Sequence, residues 1–570
     1  MIHGTAQPVY PAIRQWQEAG AFLENALSRY LELSISLKEN VSPQDTPPKD
    51  LATQIDFALE RIQGTIIQRI SYTRATLAQM RNRALSPTYY LPREVLSEIF
   101  INVVFAPSDL SPFAPEPLKT RVTQMYRALY NLLGVCTVWR DVALNYGLLW
   151  SIIPLLGSPS RTPIDENSSS VPMHILERSK GGLHLVATRP CDLMCESILA
   201  ERVPRFHTIN ISTSSQSTLE NILKIFLNEN GPERLSLSEL SIYLDQDDSY
   251  YDALPHEADD LFPLDLMKQA SFTRLVPNLS ALRVRGAQLC WHMFNYSHRL
   301  TELHLQEILF GYDIAAVNFL GVLSSASELR ILKLISVRSF YNGPLNDNEI
   351  LKIQFPKLQT LLVDDLHFNT LDVFLSSIIS RSHHLTLLLS GRCLYVRLPR
   401  NPRELEEVSW EILYELLRKV LVRDLLIAGD SVDPWPSPSP MVLGGLIKSV
   451  APSLETLRMN SWNFDTAYCN VLTHSSLSQD SPALNIINLH ITRAKIYNLE
   501  SLVDMVTSHS KSIQHVRLGL AIQDDRGDQW VPVQRDHPLA SALEDIIPSC
   551  QIIDYQFYPP QFEDAPWQLW

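Results

Sequence analysis

One template recurs along the C-terminal two thirds of this 570-residue chain: apolar, two residues, apolar, one residue, apolar. Its instances are Phe206/Ile209/Ile211, Leu237/Leu240/Ile242, Leu279/Leu282/Val284, Leu300/Leu303/Leu305, Leu329/Leu332/Leu334 and Leu358/Leu361/Val363. They continue as Leu385/Leu388/Ser390, Val422/Leu425/Ile427, Leu454/Leu457/Met459, Leu484/Ile487/Leu489 and Ile513/Val516/Leu518. The starts lie mostly about 30 residues apart, the length of one supersecondary unit. Apolar residues at alternate positions make a strand with one face buried. Between the templates stand patterns of helical period: Leu219/Ile222/Leu223/Phe226, Leu371/Phe374/Leu375/Ile378/Ile379 and Leu499/Leu502/Val503/Val506. One strand and one helix cannot bury both apolar faces alone. Neighbouring units must therefore stack, strands into a parallel sheet with helices along one side, strand and helix alternating one for one.

This region, residues 181–570, resembles leucine-rich repeats. The resemblance implies an irregular α/β solenoid whose short strands line one face. The family places Asn or Cys just after the strand, where this chain has Ala287, Ile308, Val337, Leu366, Trp462 and Thr492, so no asparagine ladder is implied. One interval is stretched by LDQDDSYYDALPHEADDLFPLD, in which eight acidic residues from Asp245 to Asp265 occur without Lys or Arg. Such an insertion is either a solvated loop or a client-recognition loop for a basic partner, using Asp247, Asp248, Tyr250 and Tyr251 with Phe262 as an anchor.

Hydrophobic residues make up 45% of the chain and charged residues 19%, values that place it among globular proteins. A net charge of −14 argues against nucleic acid as a partner, because phosphate backbones are held by clustered Lys and Arg. MIHGTAQPVY has no leader pattern, and the apolar stretch from Leu413 to Ala428 is interrupted by Glu415, Arg418, Lys419, Arg423 and Asp424. The expectation is a cytoplasmic and/or nuclear protein without membrane contact. Seven dispersed cysteines fit buried thiols in a reducing compartment; Cys191 and Cys195, near His184 and His207, match no zinc spacing.

At the N-terminus, Leu23, Leu27, Tyr30, Leu31 and Leu37 have helical spacing, and VSPQDTPPKD stops that helix. Ile55, Leu59, Ile62, Ile66, Ile70, Thr73, Leu77, Met80 and Ala84 then draw a seam along a second. Residues 1–86 are expected to form a helical hairpin or coiled coil, the seam packing on its neighbour or on a second copy.

LPREVLSEIF, Leu91 to Phe100, follows. Pro92 suits a helix start, and Val95, Leu96, Ile99 and Phe100 share one broad apolar face. After APSDLSPFAPEP comes a helical stretch with Leu132, Val135, Cys136, Trp139, Val142 and Ala143 on one side, closed by Leu148, Leu149 and Trp150. Three short helices hold more apolar surface here than they can bury among themselves. The order Leu-Pro-x-Glu-Val-Leu-x-x-Ile-Phe, Val-Cys-x-x-Trp-Arg-x-x-Ala and Leu-Trp resembles an F-box, over residues 87–155, with an insertion between Phe105 and Tyr126. The whole chain thus resembles an F-box protein with C-terminal leucine-rich repeats, of the fungal F-box-like kind.

That resemblance implies an α+α/β chain: an N-terminal helical hairpin, a small all-α F-box, a linker over residues 156–180, then the solenoid with its parallel sheet. It also implies a non-catalytic substrate-recognition subunit of a ubiquitin ligase, in which the F-box docks a Skp-type adaptor joined to a cullin and a RING subunit, and the repeats bind an unknown protein client. Carried over by position, the adaptor-binding residues are Leu91, Pro92, Val95, Leu96, Ile99, Phe100, Val135, Cys136, Trp139, Leu149 and Trp150. Leu96, Ile99 and Val135 could instead serve the unit's own core, and Trp139 and Trp150 could pack inward. A scaffold whose F-box-like helices merely cap the repeats is the alternative. The sequence holds no GxxxxGK[ST], GxGxxG, HExxH or GxSxG, and no catalytic, cofactor-binding or metal-binding residue is expected. His383-His384 reads as a solvated turn.

Overall fold

The last two positions of most templates fall on strands of one large sheet. The computed structural model describes residues 11–40, 48–85, 87–105, 118–156, 170–190, 193–227, 236–246, 260–262, 266–343, 350–379, 383–399, 405–429, 439–478, 485–523, 529–557 and 559. Asp247, Asp248, Tyr250, Tyr251 and Cys191 lie outside them. The described residues divide into two units, Met1–Pro92 and Arg93–Trp570.

In the first unit, α1 (Pro11–Asn40) and α2 (Pro48–Leu85) are long helices, the second starting inside the proline-rich stretch at Pro48, where a missing N–H costs nothing. Their apolar faces stay open to solvent: Phe22 is 76% exposed, and Ile55, Leu59, Ile70 and Met80 of the seam are exposed too. Ile62, Ile66 and Leu77 of the same seam are half-buried.

The second unit is mixed α/β. Among the described residues its main sheet has sixteen strands. Parallel strands follow chain order as β1 (Ile152–Leu155), β2 (Leu183–Ala187), β3 (Phe206–Thr213), β4 (Glu239–Leu244), β5 (Ala281–Arg285), β6 (Glu302–Gln306) and β7 (Ile331–Ile335). They continue as β8 (Thr360–Asp364), β9 (His384–Leu389), β10 (Val422–Ala428), β11 (Thr456–Asn460), β12 (Asn488–Ile496), β13 (His515–Gln523) and β14 (Ser549–Ile552). Trp530–Pro532 pairs antiparallel to β13, and Asn463–Phe464 pairs with β12. The second apolar position of each template is in register with the next, Leu240↔Leu282↔Leu303↔Leu332↔Leu361. All five are sealed from solvent, so truncating one to Ala is expected to cost about 2–5 kcal/mol.

The same kink recurs at six of these fourteen strands. Two residues beyond the last template position, or in β12 beyond the in-register Ile491, the backbone enters the left-handed region, at Gly286 (φ 75), Glu307 (52), Ser336 (47), Asp365 (57), Ser461 (60) and Arg493 (51). That kink swings the next side chain inward: Ala287, Ile308, Val337, Leu366, Trp462 and Ala494 are all buried. The apolar residues that stand where the family has Asn or Cys are thus core residues in their own right.

Several expectations need correcting. In β9 the residues in register are Leu385 and Leu387, against Leu361 and Val363, rather than Leu385/Leu388/Ser390. In β12 they are Leu489 and Ile491, with Ile486 buried before them, rather than Leu484/Ile487/Leu489, whose Leu484 is outside the described residues. Strand and helix do not alternate one for one. Between β5 and β6 there is only the 3-10 turn Trp291–Met293, because the interval of the two templates is too short for a helix, and between β7 and β8 the described residues hold a short strand, Arg338–Phe340. His383 is buried and His384 opens β9 with Nε2 3.1 Å from Asp424 Oδ2, so the pair is no solvated turn. Phe262 is buried and serves no recognition loop as an exposed anchor. No described helix is long and apolar enough to cross a membrane.

Candidate functional site

Residues Arg93 to Leu155 form a small helical layer leading into the sheet. Its helices are α3 (Arg93–Val104), α4 (Leu118–Val135) and α5 (Thr137–Asn145), followed by the 3-10 turn Gly147–Trp150. The chain breaks between α4 and α5 at Cys136, whose extended backbone (φ −158) and Sγ, accepting from Trp139 N at 3.5 Å, cap α5. One continuous helix through Val135 and Cys136 is thereby excluded. Residues 118–125, which fall in the apparent insertion, belong to α4.

α3 packs against α4, α5 and the 3-10 turn. Its i, i+4, i+8 stripe Leu96, Phe100 and Val104 is buried, with the Phe100 ring 5.1 Å from that of Trp139. The neighbouring stripe Val95, Ile99 and Val103 is exposed by 43%, 39% and 47%, and Val135 and Leu148 are each 54% exposed. The broad apolar face read from the sequence is therefore two faces, one filled and one open. Of the eleven adaptor candidates, Leu96, Phe100, Leu149 and Trp150 are core residues of this layer. Trp150 settles inward because its indole Nε1 donates to Ala143 O at 2.8 Å while Arg178 stacks 4.8 Å above its ring. Leu91, Cys136 and Trp139 are half-buried, and Pro92, Val95, Ile99 and Val135 are exposed. Arg93 and Asp141, at 2.8 Å, clip α3 to α5 at the surface.

α4 also reaches the sheet. Ser151 O and Leu155 O accept from β2, so the intervening Ile152 O points away from it, along the open edge of β1. The Tyr126 hydroxyl donates to that carbonyl. Burial raises the Tyr126 pKa far above its ordinary value, which keeps the phenol a donor.

Away from the core, the residues between the last two template positions form a polar sheet face with two differing halves. In the first, Arg283 on β5 binds Glu302 through Nε and Nη2 at 2.8 and 2.7 Å and reaches Glu239 at 3.2 Å. Arg285 likewise grips Glu307 at 3.1 and 2.8 Å and lies 4.6 Å above the Tyr243 ring. Burial works against the Glu302 carboxylate, but the bonds from Arg283 outweigh it and hold its pKa below the usual range. In the second half, Arg458, His490, Arg517 and Gln551 stand in one row across β11 to β14, beside the row Thr456, Asn488, His515 and Ser549. Neither row contains a carboxylate. The template had put Arg458 and Arg517 at middle positions, yet only the strand register brings them together.

Among the described residues no group of three or more His, Cys, Asp or Glu side chains is placed to hold a metal ion, and Cys136, Cys195, Cys290, Cys393, Cys469 and Cys550 are not joined in disulfides. Compared with known proteins, the chain matches no family model and no curated protein.

Proposed function

We propose that the chain is the substrate-recognition subunit of a Skp-cullin-F-box-type ubiquitin ligase, with residues 87–155 docking a Skp-type adaptor and the stacked strands, a leucine-rich-repeat-like solenoid, presenting the client-binding face. The observation that supports it is the open stripe Val95, Ile99 and Val103 on α3, beside a stripe that is already filled. Apolar side chains left outside a packed helical layer suit an interface core, where a few anchors carry most of the affinity. Its place in the motif order Leu-Pro, Val-Cys-x-x-Trp-Arg, Leu-Trp makes the adaptor the partner of choice. On this reading the protein supplies no chemistry. Holding a client beside a charged conjugating enzyme raises the effective concentration of the acceptor lysine. The partners are the adaptor, through it a cullin and RING subunit, and a protein client, with neither nucleic acid nor membrane involved. The test is co-expression of the full chain with a Skp-type adaptor, followed by capture of the chain: the adaptor co-purifies, and Val95→Asp/Ile99→Asp abolishes this without changing the circular dichroism.

A second reading, a scaffold whose helical layer covers the first edge of the sheet, is favoured by the Tyr126–Ile152 bond. Open strand edges need such cover. Under that reading alone the adaptor ignores the wild-type chain, while Tyr126→Phe lowers stability by about 1 kcal/mol, the net worth of one buried hydrogen bond.

A further inference from the structure

The last strands of the sheet form a cation-lined hollow whose own lining holds no carboxylate, Asp424 on the neighbouring β10 acting on it from beside Thr456. Arg458 on β11, His490 on β12 and Arg517 on β13 are direct register partners, so the two guanidinium groups sit on strands about 10 Å apart with an imidazole between them. Together with Asn488, His515, Val516, Ser549 and Gln551 they line a cavity of about 320 Å³.

Three facts mark it as a candidate anion site. First, Arg458 Nε is buried and has no hydrogen-bond partner, a state that costs about 1–3 kcal/mol when nothing compensates it. Second, Asp424 Oδ2 lies 3.1 Å from His384 Nε2 and acts on Arg458 and His490 through space without a hydrogen bond to Arg458 Nε, while among the described residues Arg517 Nε donates to the neutral Oε1 of Gln551, at 3.0 Å. Third, seven of the eight lining residues carry polar side chains, Val516 being the exception. Burial, reinforced by the charges of Arg458 and Arg517, pushes His490 down to about 4, which leaves a neutral N–H donor between two fixed cations.

We infer that this hollow binds the phosphate group of a small organic phosphate, with Arg458 and Arg517 gripping its oxygens from either side of His490. The donor set favours phosphate over carboxylate. Two guanidinium forks, two imidazoles, two side-chain amides and a hydroxyl offer more N–H and O–H groups than the two oxygens of a carboxylate can accept, whereas a phosphomonoester presents three anionic oxygens. The volume exceeds that of inorganic phosphate and lies at the low end of the about 300–1,000 Å³ range of small-molecule pockets. The inference stands apart from the adaptor reading, since it needs neither the helical layer nor a client.

The test is calorimetric titration of the full-length protein with inorganic phosphate, glycerol phosphate and a hexose phosphate at physiological salt. Wild type should bind at least one organic phosphate below about 1 mM. Arg458→Gln and Arg517→Gln should each weaken it tenfold or more, and Arg274→Gln, exposed on the helix Leu266–Leu275, should leave it unchanged. His490→Glu sets a carboxylate between the two arginines and should abolish binding while raising the melting temperature, which separates loss of the site from loss of the fold. No binding of any probe to wild type at 10-fold that concentration, or equal binding by the arginine variants, overturns the proposal. A phosphoserine peptide bound more than tenfold tighter than every small phosphate overturns the small-molecule assignment.

Discussion

The two halves of the polar sheet face use the same residue types at the same positions and arrive at opposite states. Arg283 and Arg285 are held in close ion pairs by Glu302, Glu239 and Glu307, whereas Arg517 bonds the neutral Gln551 and Arg458 feels Asp424 only through space. α3 repeats the contrast in apolar form, with Leu96 and Phe100 filled against Trp139 and its neighbours while Val95 and Ile99 face solvent. What a chain satisfies internally contributes to stability; what it leaves unsatisfied on a rigid element is available to a partner. The distinction can be attacked from both sides.

The largest effect is expected in the first half. Arg283→Ala strands two half-buried carboxylates and should destabilise the protein by on the order of 2–3 kcal/mol in urea unfolding at pH 7. A loss below about 0.5 kcal/mol, typical of a surface change, would erase the difference between the halves.

Next is Asp313, which has neutral donors rather than a cation. It is 2% exposed and accepts from Ser339 Oγ at 2.5 Å and Asn369 Nδ2 at 2.7 Å, yet burial outweighs these bonds and raises it to about 6. A raised folded-state pKa means that the folded form holds its proton more tightly. Its stabilisation is present below pH 4 and disappears as pH rises through about 6, a change on the order of 3 kcal/mol. Asp313→Asn should flatten that part of the stability-against-pH curve; an unchanged curve would show that the carboxyl is not the group responsible.

In the second half, His490→Glu should instead add about 1 kcal/mol by supplying the missing counter-charge, and Arg458→Gln should leave apo stability within about 0.5 kcal/mol. If Arg458→Gln proves as harmful as Arg283→Ala, the second half is paired after all.

Much of this architecture is legible in the sequence because a half-buried strand repeats every two residues and its stacked neighbours share a register. The signal runs to the last strand, since Ile547/Cys550/Ile552 carries the template into β14. It fades at β2, where Lys180 occupies the first slot, and slips at LTLLLS, where a run of leucines offers overlapping matches and only the pairing with Leu361 decides. The polar row needed that register: with β12 set two residues off, the middle position falls on Asn488 and His490 is overlooked. The division of α3 was hidden for another reason. Val95, Leu96, Ile99 and Phe100 fit one apolar arc, and which half is covered depends on where α4 and α5 pack, which helical period does not encode. The acidic insertion stays a sequence feature alone.

The decisive measurement is the affinity of a purified Skp-type adaptor for the full-length chain, compared between wild type, Ile99→Asp and Leu96→Ala. If the open stripe is the docking surface, Ile99→Asp weakens binding by more than tenfold with unfolding stability intact, whereas Leu96→Ala costs about 2–5 kcal/mol of stability through the cavity it leaves. An adaptor that fails to bind wild type, or binds Ile99→Asp just as tightly, contradicts it.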